Sequence, residues 1–354
     1  MKRVKFVIAL ALMLVATSAI HGQVLSPEEA APKGALIYSL PSTTISLKVE
    51  ACREEFIAGP YAQYAQKYIG SPAKTTNETT HTLERITLSP FIEADPSVRI
   101  AINLAGKLSA PANFLQLCSQ GLVVMSDSYV GKDDAWRFPT IAANDQFAGK
   151  GVEGNLTNAT TTLYKSVKTD AGFQRVSVTQ NSIVEKSLEM KAQETAEAIY
   201  SLRKKRVQII TGDTDATFSG EALEAAVKEI TRLESEYLEL FYGVTHKSTQ
   251  EMTFDVVPSA DNAKQMYVAF RVSDSEGLIP ANNMGGRPII LELMLDQNPG
   301  GGESLSTKGD AIIYRVPTTA TAKIVDGQKI LLQSRVPVYQ LGQIRSFPIN
   351  TILK

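Results

Sequence analysis

Two stretches in the middle of the chain repeat apolar residues every three or four positions. From Ser182 to about Arg206, the residues Val184, Leu188, Ala192, Thr195, Ile199 and Leu202 keep that spacing, which is the stripe of an amphipathic helix. Residues 220–242 repeat it more strongly through Leu223, Val227, Ile230, Leu233, Tyr237, Leu238 and Phe241, with Gly243 as a stop. Two helices of similar length joined by a short polar link predict an antiparallel hairpin.

On both sides of that hairpin the pattern has period two. Before it, ALIYSLPSTTISLKVE (35–50) predicts two strands around a turn at Pro41, Tyr61 to Ile69 a short helix ended by Gly70, and THTLERITL a strand that continues past Pro90 into SVRIAINL. ANFLQLCSQGLVVM (112–125) reads as a short helix and then a strand. After Gly243, Met252, Phe254 and Val256 share one face, as do Met266, Val268, Phe270 and Val272, with PSADNAK as the turn between. Further strands follow at RPIILELML, AIIYRVP, TATAKIV, KILLQSRVPV and GQIRSFPI, a succession that argues for an antiparallel sandwich or barrel. Residues 131–178 are poor in apolar side chains and rich in Gly, Asn, Thr and Asp, and we assign them to a flexible excursion or linker. One echo is internal: Ala35 to Glu50 and Ala311 to Asp326 align without gaps and share Ala, Ile, Tyr, Pro, Thr and Val. We read it as two hairpins with the same Pro-containing turn, because no polar cluster repeats with it.

Composition narrows the function classes. Lys2, Arg3 and Lys5 precede an uncharged apolar run from Phe6 to about Ala16, the layout of a secretory signal peptide, with cleavage expected after Ala19 or, preferably, Gly22. No later stretch is long and apolar enough to span a bilayer. Lys plus Arg is 36 against 37 Asp plus Glu, so no positive excess favours nucleic acid. Cys52 and Cys118 are the only cysteines; an exported compartment permits a bridge between them, and two separate buried thiols fit equally well.

The chemical motifs are few. DTDATFSGEALE (213–224) sets Asp213, Asp215, Thr217, Ser219, Glu221 and Glu224 at the ligand places of a calcium loop. Against calcium, Phe218 stands where the sharp turn calls for Gly, and Gly220 where an apolar residue belongs. A helix start explains the same letters better: Ser219 caps, Glu221 meets the helix dipole, and Phe218 staples onto Leu223. Gly149, Gly151 and Gly154 satisfy GxGxxG, yet a hydroxyl-rich β-favouring run follows where a nucleotide site needs a helix, so this is read as a loop. Beyond His21 the histidines are His81 and His246, each expected as a half-exposed strand residue with no metal-binding or triad spacing. Asp133 and Asp134 before Trp136 can mark a glycan-cleaving pair; a polar turn leading to a buried Trp is the simpler reading. The run Arg203 to Arg206 complements the C-terminal end of a helix dipole. The sequons at Asn77, Asn155 and Asn158 carry little weight if the cell is bacterial.

Several stretches together resemble an uncharacterised exported family of Bacteroidetes, domain of unknown function 4831. They are IEADPSVRIAI, NFLQLCSQGLVVM, the link TGDTDATFSGEAL, the helix end LESEYLELFYG, and VPVYQLGQIRSFP. The resemblance implies export to the periplasm or surface of a Gram-negative cell and brings no catalytic residue with it. The family pattern favours a hydroxyl residue at position 118, which weakens the case for a functional disulfide.

The expected architecture is α+β: antiparallel β-sandwich-like segments at both ends with a long antiparallel helical hairpin between them. The segments are 1–22 (signal peptide), 23–130 (β-rich, short helices), 131–178 (linker), 179–243 (helical hairpin) and 244–354 (antiparallel β domain). Function is expected to be non-enzymatic binding or scaffolding of an envelope protein or glycan, with no catalytic, cofactor or metal residues assigned. A glycan-directed hydrolase using Asp or Glu pairs is the alternative.

Overall fold

A computed structural model describes residues 23–25, 35–103, 112–125, 136–143, 146–151, 154–169, 172–213, 220–296 and 311–348. In chain order the elements are β1 (Gln23–Leu25), β2 (Ala35–Ile57), α1 (Ala65–Tyr68), β3 (Glu78–Asn103), α2 (Ala112–Ser119), β4 (Val124–Met125), β5 (Leu156–Thr169), β6 (Gly172–Glu185), α3 (Leu188–Thr211), α4 (Gly220–Tyr242), β7 (Val244–Val256), β8 (Met266–Ser273), β9 (Gly277–Pro280), β10 (Arg287–Leu295), β11 (Ala311–Asp326) and β12 (Lys329–Pro348). The protein is a mixed α/β chain, mostly strands in antiparallel sheets. It divides into two units: one is Met1–Cys52, His81–Phe138 and Thr249–Lys354, the other Arg53–Thr80 and Pro139–Ser248.

In the first unit one sheet runs β1-β3-β2-β4 with β7 also on β2, and another runs β12-β11-β10-β8-β9. Alternation puts every second side chain on one face. Ile45, Leu47 and Val49 of β2, Met252 and Phe254 of β7, and Phe270, Leu291, Ile324 and Val338 of the other sheet therefore meet in one buried cluster. Phe254 stacks on Phe270 at 5.0 Å and 11°.

β8 corrects the expectation for its face. Its register against β10 shifts at Ile289/Ile290, where one step on β10 answers two on β8. The bulge reverses the facing of what precedes it, so Met266 and Val268 are exposed while Ala269, Phe270 and Val272 are buried.

The echo segments also differ from the hairpins expected of them. Each runs through its proline as a single long strand, β2 and β11. Proline lacks the N–H that a ladder needs, and β11 accommodates Pro317 by a register shift between Val316 and Thr318. β12 approaches so closely there that a Cβ on Gly342 would lie 1.9 Å from the Val316 carbonyl oxygen. Two buried polar contacts tie β2 and β3 to β11. The Tyr38 hydroxyl accepts from Ile313 N at 2.9 Å and donates to Ile313 O at 3.0 Å. Arg315 donates to Pro41 O and to Asp95, both at 2.9 Å.

In the second unit Tyr61 and Ala65 share a buried cluster with Ala192, Ala196 and Ile199 of α3 and with Leu240 and Phe241 of α4. α4 covers the range of the stronger stripe, and Gly243 follows it at φ +78. α3 begins at Leu188, six residues after the expected start at Ser182. Ser182 to Glu185 instead extend β6 opposite Leu156 to Ala159, and Ser187 takes the N-cap, accepting from Met190 N at 3.2 Å.

Candidate interaction surface

The segment expected as a linker holds the most exposed ordered element of the second unit. β5 and β6 pair antiparallel without a register shift, from Leu156 opposite Glu185 to Thr169 opposite Gly172. Thr is the commonest residue of β5 and Val of β6, and β-branched side chains suit the pleat. One face sets Leu163 and Val167 beside Val176, Val178 and Val184; the other sets Leu156 and Tyr164 beside Phe173 and Ile183. Every residue of β6 is exposed. Phe173 is 78% exposed, Ile183 71% and Tyr164 69%, values that leave most of each side chain in water. A two-stranded ribbon of this kind is at best marginal by itself. Its cations Lys165, Lys168 and Arg175 stand toward the connecting loop, and Glu185 stands at the opposite end.

Below the ribbon, Lys186 donates through its amide to Asn155 O at 2.7 Å and through its ammonium to Glu194 at 2.7 Å. α3 then packs along α4 through a clamp: Arg203 reaches Glu234 at 2.7 Å and Arg206 reaches it at 2.6 Å. Two members of the basic run thus hold a buried carboxylate, a role missed when the run was read against the helix dipole alone. The signal was present in the spacing, since positions 203 and 206 fall on one helix face. Past the clamp, Val207 and Ile210 are exposed.

The other sequence candidates do not converge. Asp215, Thr217, Phe218, Ser219, Asp133 and Asp134 lie outside the described residues; Asp213, Glu221 and Glu224 are exposed. Gly149 and Gly151 flank Lys150, which pairs with Glu239 at 2.6 Å, and a strand follows Gly154. Trp136 is about half exposed, not buried, with its ring 6.4 Å from Phe254. His81 is buried where half-exposure was expected: its Nδ1 lies 2.8 Å from Asp274 O. His246 Nε2 is enclosed, with no hydrogen-bond partner among the described residues. Glu55 is held below the usual carboxylate range, first by a hydrogen bond from Arg53 and, against the opposing effect of burial, by the Ala142 amide and the Arg53 charge. Cys52 and Cys118 stand as separate thiols, and burial pushes the Cys118 thiol up. An open groove of about 420 Å³ in the first unit is lined by Ser273, Asp274, Ser275 and Arg287, but Arg287 is already engaged by Asp326 at 3.1 Å. Among the described residues no group of three His, Cys, Asp or Glu side chains is placed to hold a metal ion, and no helix is long and apolar enough to cross a membrane.

A family model, Domain of unknown function (DUF4831), matches residues 34–350. The chain belongs to this family. No curated protein and no solved structure matches it. The match spans the ribbon and the cores alike, and within it Ile100 and Ile102 of β3, Phe114 of α2 and Val123 share one buried cluster. Leu240 and Phe241 of α4 sit in another.

Proposed function

We propose that this DUF4831 chain is an exported protein of the Gram-negative cell envelope that binds or scaffolds a partner, an envelope protein or a glycan, without catalysing a reaction. In this reading its sheets form a sandwich-like body and α3 and α4 a long antiparallel helical hairpin. The shared cluster of both sheets supports the first. The pairing of early α3 residues with late α4 residues supports the second. Export rests on Lys2, Arg3 and Lys5 ahead of the apolar run from Phe6.

The β5–β6 ribbon is the observation that carries the reading. A long ordered element that leaves Leu163, Tyr164, Phe173, Val176 and Ile183 exposed costs solvation free energy, and such exposure marks surfaces that another molecule covers. The test replaces residues 162–179 by Asn-Gly, which closes the ribbon at the Thr161–Gln180 pair. Full-length and shortened chains are then used to retrieve material from the native envelope. The reading expects a protein or glycan retained by the first and lost by the second. Reducing ends released from polysaccharides or peptidoglycan by the purified chain would contradict it.

A further inference from the structure

We propose that the outer edge of β6 is where two copies of this chain pair, antiparallel about a two-fold axis through Gln180. The inference rests on reading the ribbon as an interaction surface and names its partner.

Among the described residues β6 pairs only with β5. An unpaired edge is a template for another strand, and proteins that keep one open blunt it with Pro, a bulge or Lys. β6 has no Pro, no Lys and no register shift, whereas β5 carries Lys165 and Lys168. The pair Thr169 and Gly172 flanks a two-residue connection, which makes it a hydrogen-bonded pair. Counting from it, even-numbered residues of β6 bond to β5, and odd-numbered ones direct their N–H and C=O outward. Two such edges must match odd with odd, so a two-fold axis passes through a residue.

With the axis at Gln180, Arg175 stands opposite Glu185 of the second copy, and the same contact occurs twice; Glu185 also holds Lys191 at 3.2 Å through one oxygen, but its side chain is 73% exposed and can take a second cation. Val176 then faces Val184, Ser177 faces Ile183, and Thr179 faces Asn181. Opposite charges and β-branched pairs are the favourable cross-strand combinations. One cation and one anion placed equally far on either side of Gln180 make this edge complementary to itself. β5, with two lysines and no acid, offers no such register. The seam from residue 175 to 185 is roughly 36 Å long at ~3.3 Å per residue, and it turns a marginal two-stranded ribbon into a four-stranded sheet.

The test is sedimentation velocity of the full chain over a range of concentrations, with variants at exposed positions. Circular dichroism and melting confirm that each variant is folded. A reversible dimer is expected. Arg175→Glu, which sets like charges opposite, should weaken it by roughly tenfold or more, and Arg175→Glu with Glu185→Arg should restore it. Gln180→Cys should give an oxidised dimer, because a non-hydrogen-bonded pair brings Cα atoms to ~4.5 Å; Thr161→Cys and the parent chain should not. A chain that stays monomeric, or a dimer indifferent to Arg175→Glu, overturns the proposal. If the chain is monomeric while shortening the ribbon still abolishes envelope retrieval, this inference fails and the proposed function stands. A dimer sensitive to Arg175→Glu beside unchanged retrieval supports this inference and removes that function.

Discussion

Arg315 of β11 donates to Asp95 of β3 at 2.9 Å across 220 residues of sequence. Burial raises the Asp95 carboxyl, and hydrogen bonds from Ser97 and Arg315 outweigh that effect, so its pKa lies below the ordinary value. A carboxylate depressed in the folded state adds stability above its unfolded pKa of about 3.9 and loses it as pH falls through the lower folded value. Acid unfolding of the wild type should therefore steepen below about pH 4. Asp95→Asn should flatten that limb, as followed by urea midpoints at stepped pH.

The Tyr38 phenol is predicted to matter through its oxygen. Burial raises its pKa well above the ordinary value, and the hydroxyl satisfies both Ile313 N and Ile313 O. Tyr38→Phe leaves those backbone groups without that partner while the ring keeps its contact with Phe114. The expected loss is about 1–3 kcal/mol, read from denaturant midpoints at constant slope.

Phe270 and Gly342 test the core and the bulge. Phe270→Ala removes a fully buried ring stacked on Phe254 and should cost about 3–5 kcal/mol. Gly342→Ala forces a Cβ toward the Val316 carbonyl and should cost about 1–3 kcal/mol. Alanine at Gly151, where no described residue lies within 4 Å, is the matched control and should leave the melting temperature unchanged.

Glu234 should be the most sensitive charge of the helix pair. It is buried, while Arg203 and Arg206 remain 38% and 30% exposed at the side chain, so the arginines regain water when it is removed. Glu234→Ala is expected to cost about 1–3 kcal/mol, less than the loss from breaking a fully buried pair. Thermal unfolding should show α3 and α4 losing helicity earlier than the β signal.

Much of this architecture was legible in sequence. The α4 stripe ends at Gly243 because apolar spacing and a positive-φ stop reinforce each other. The alternation through Met252 and Phe254 marks a core face because every second side chain of a strand shares one face. The ribbon was not legible, since LTNATTTLYKSVKT carries polar residues on both faces and a strand with no buried side shows no contrast between its faces. Pro41 and Pro317 read as turns, because local propensity does not reveal that a bulge or a long-range partner will carry the chain straight through. The Glu234 clamp joins two helices, and intrahelical spacing names its arginines but not their partner.

Amide hydrogen exchange along residues 156–185 tests the central claim most directly. In the dilute free chain the outward amides of β6 from Arg175 to Glu185 should exchange fast, and association, whether with a second copy or with solubilised envelope, should slow them by tenfold or more. Equal exchange in all these conditions would mean that nothing covers the ribbon, and the account of this chain as a binding module would fall.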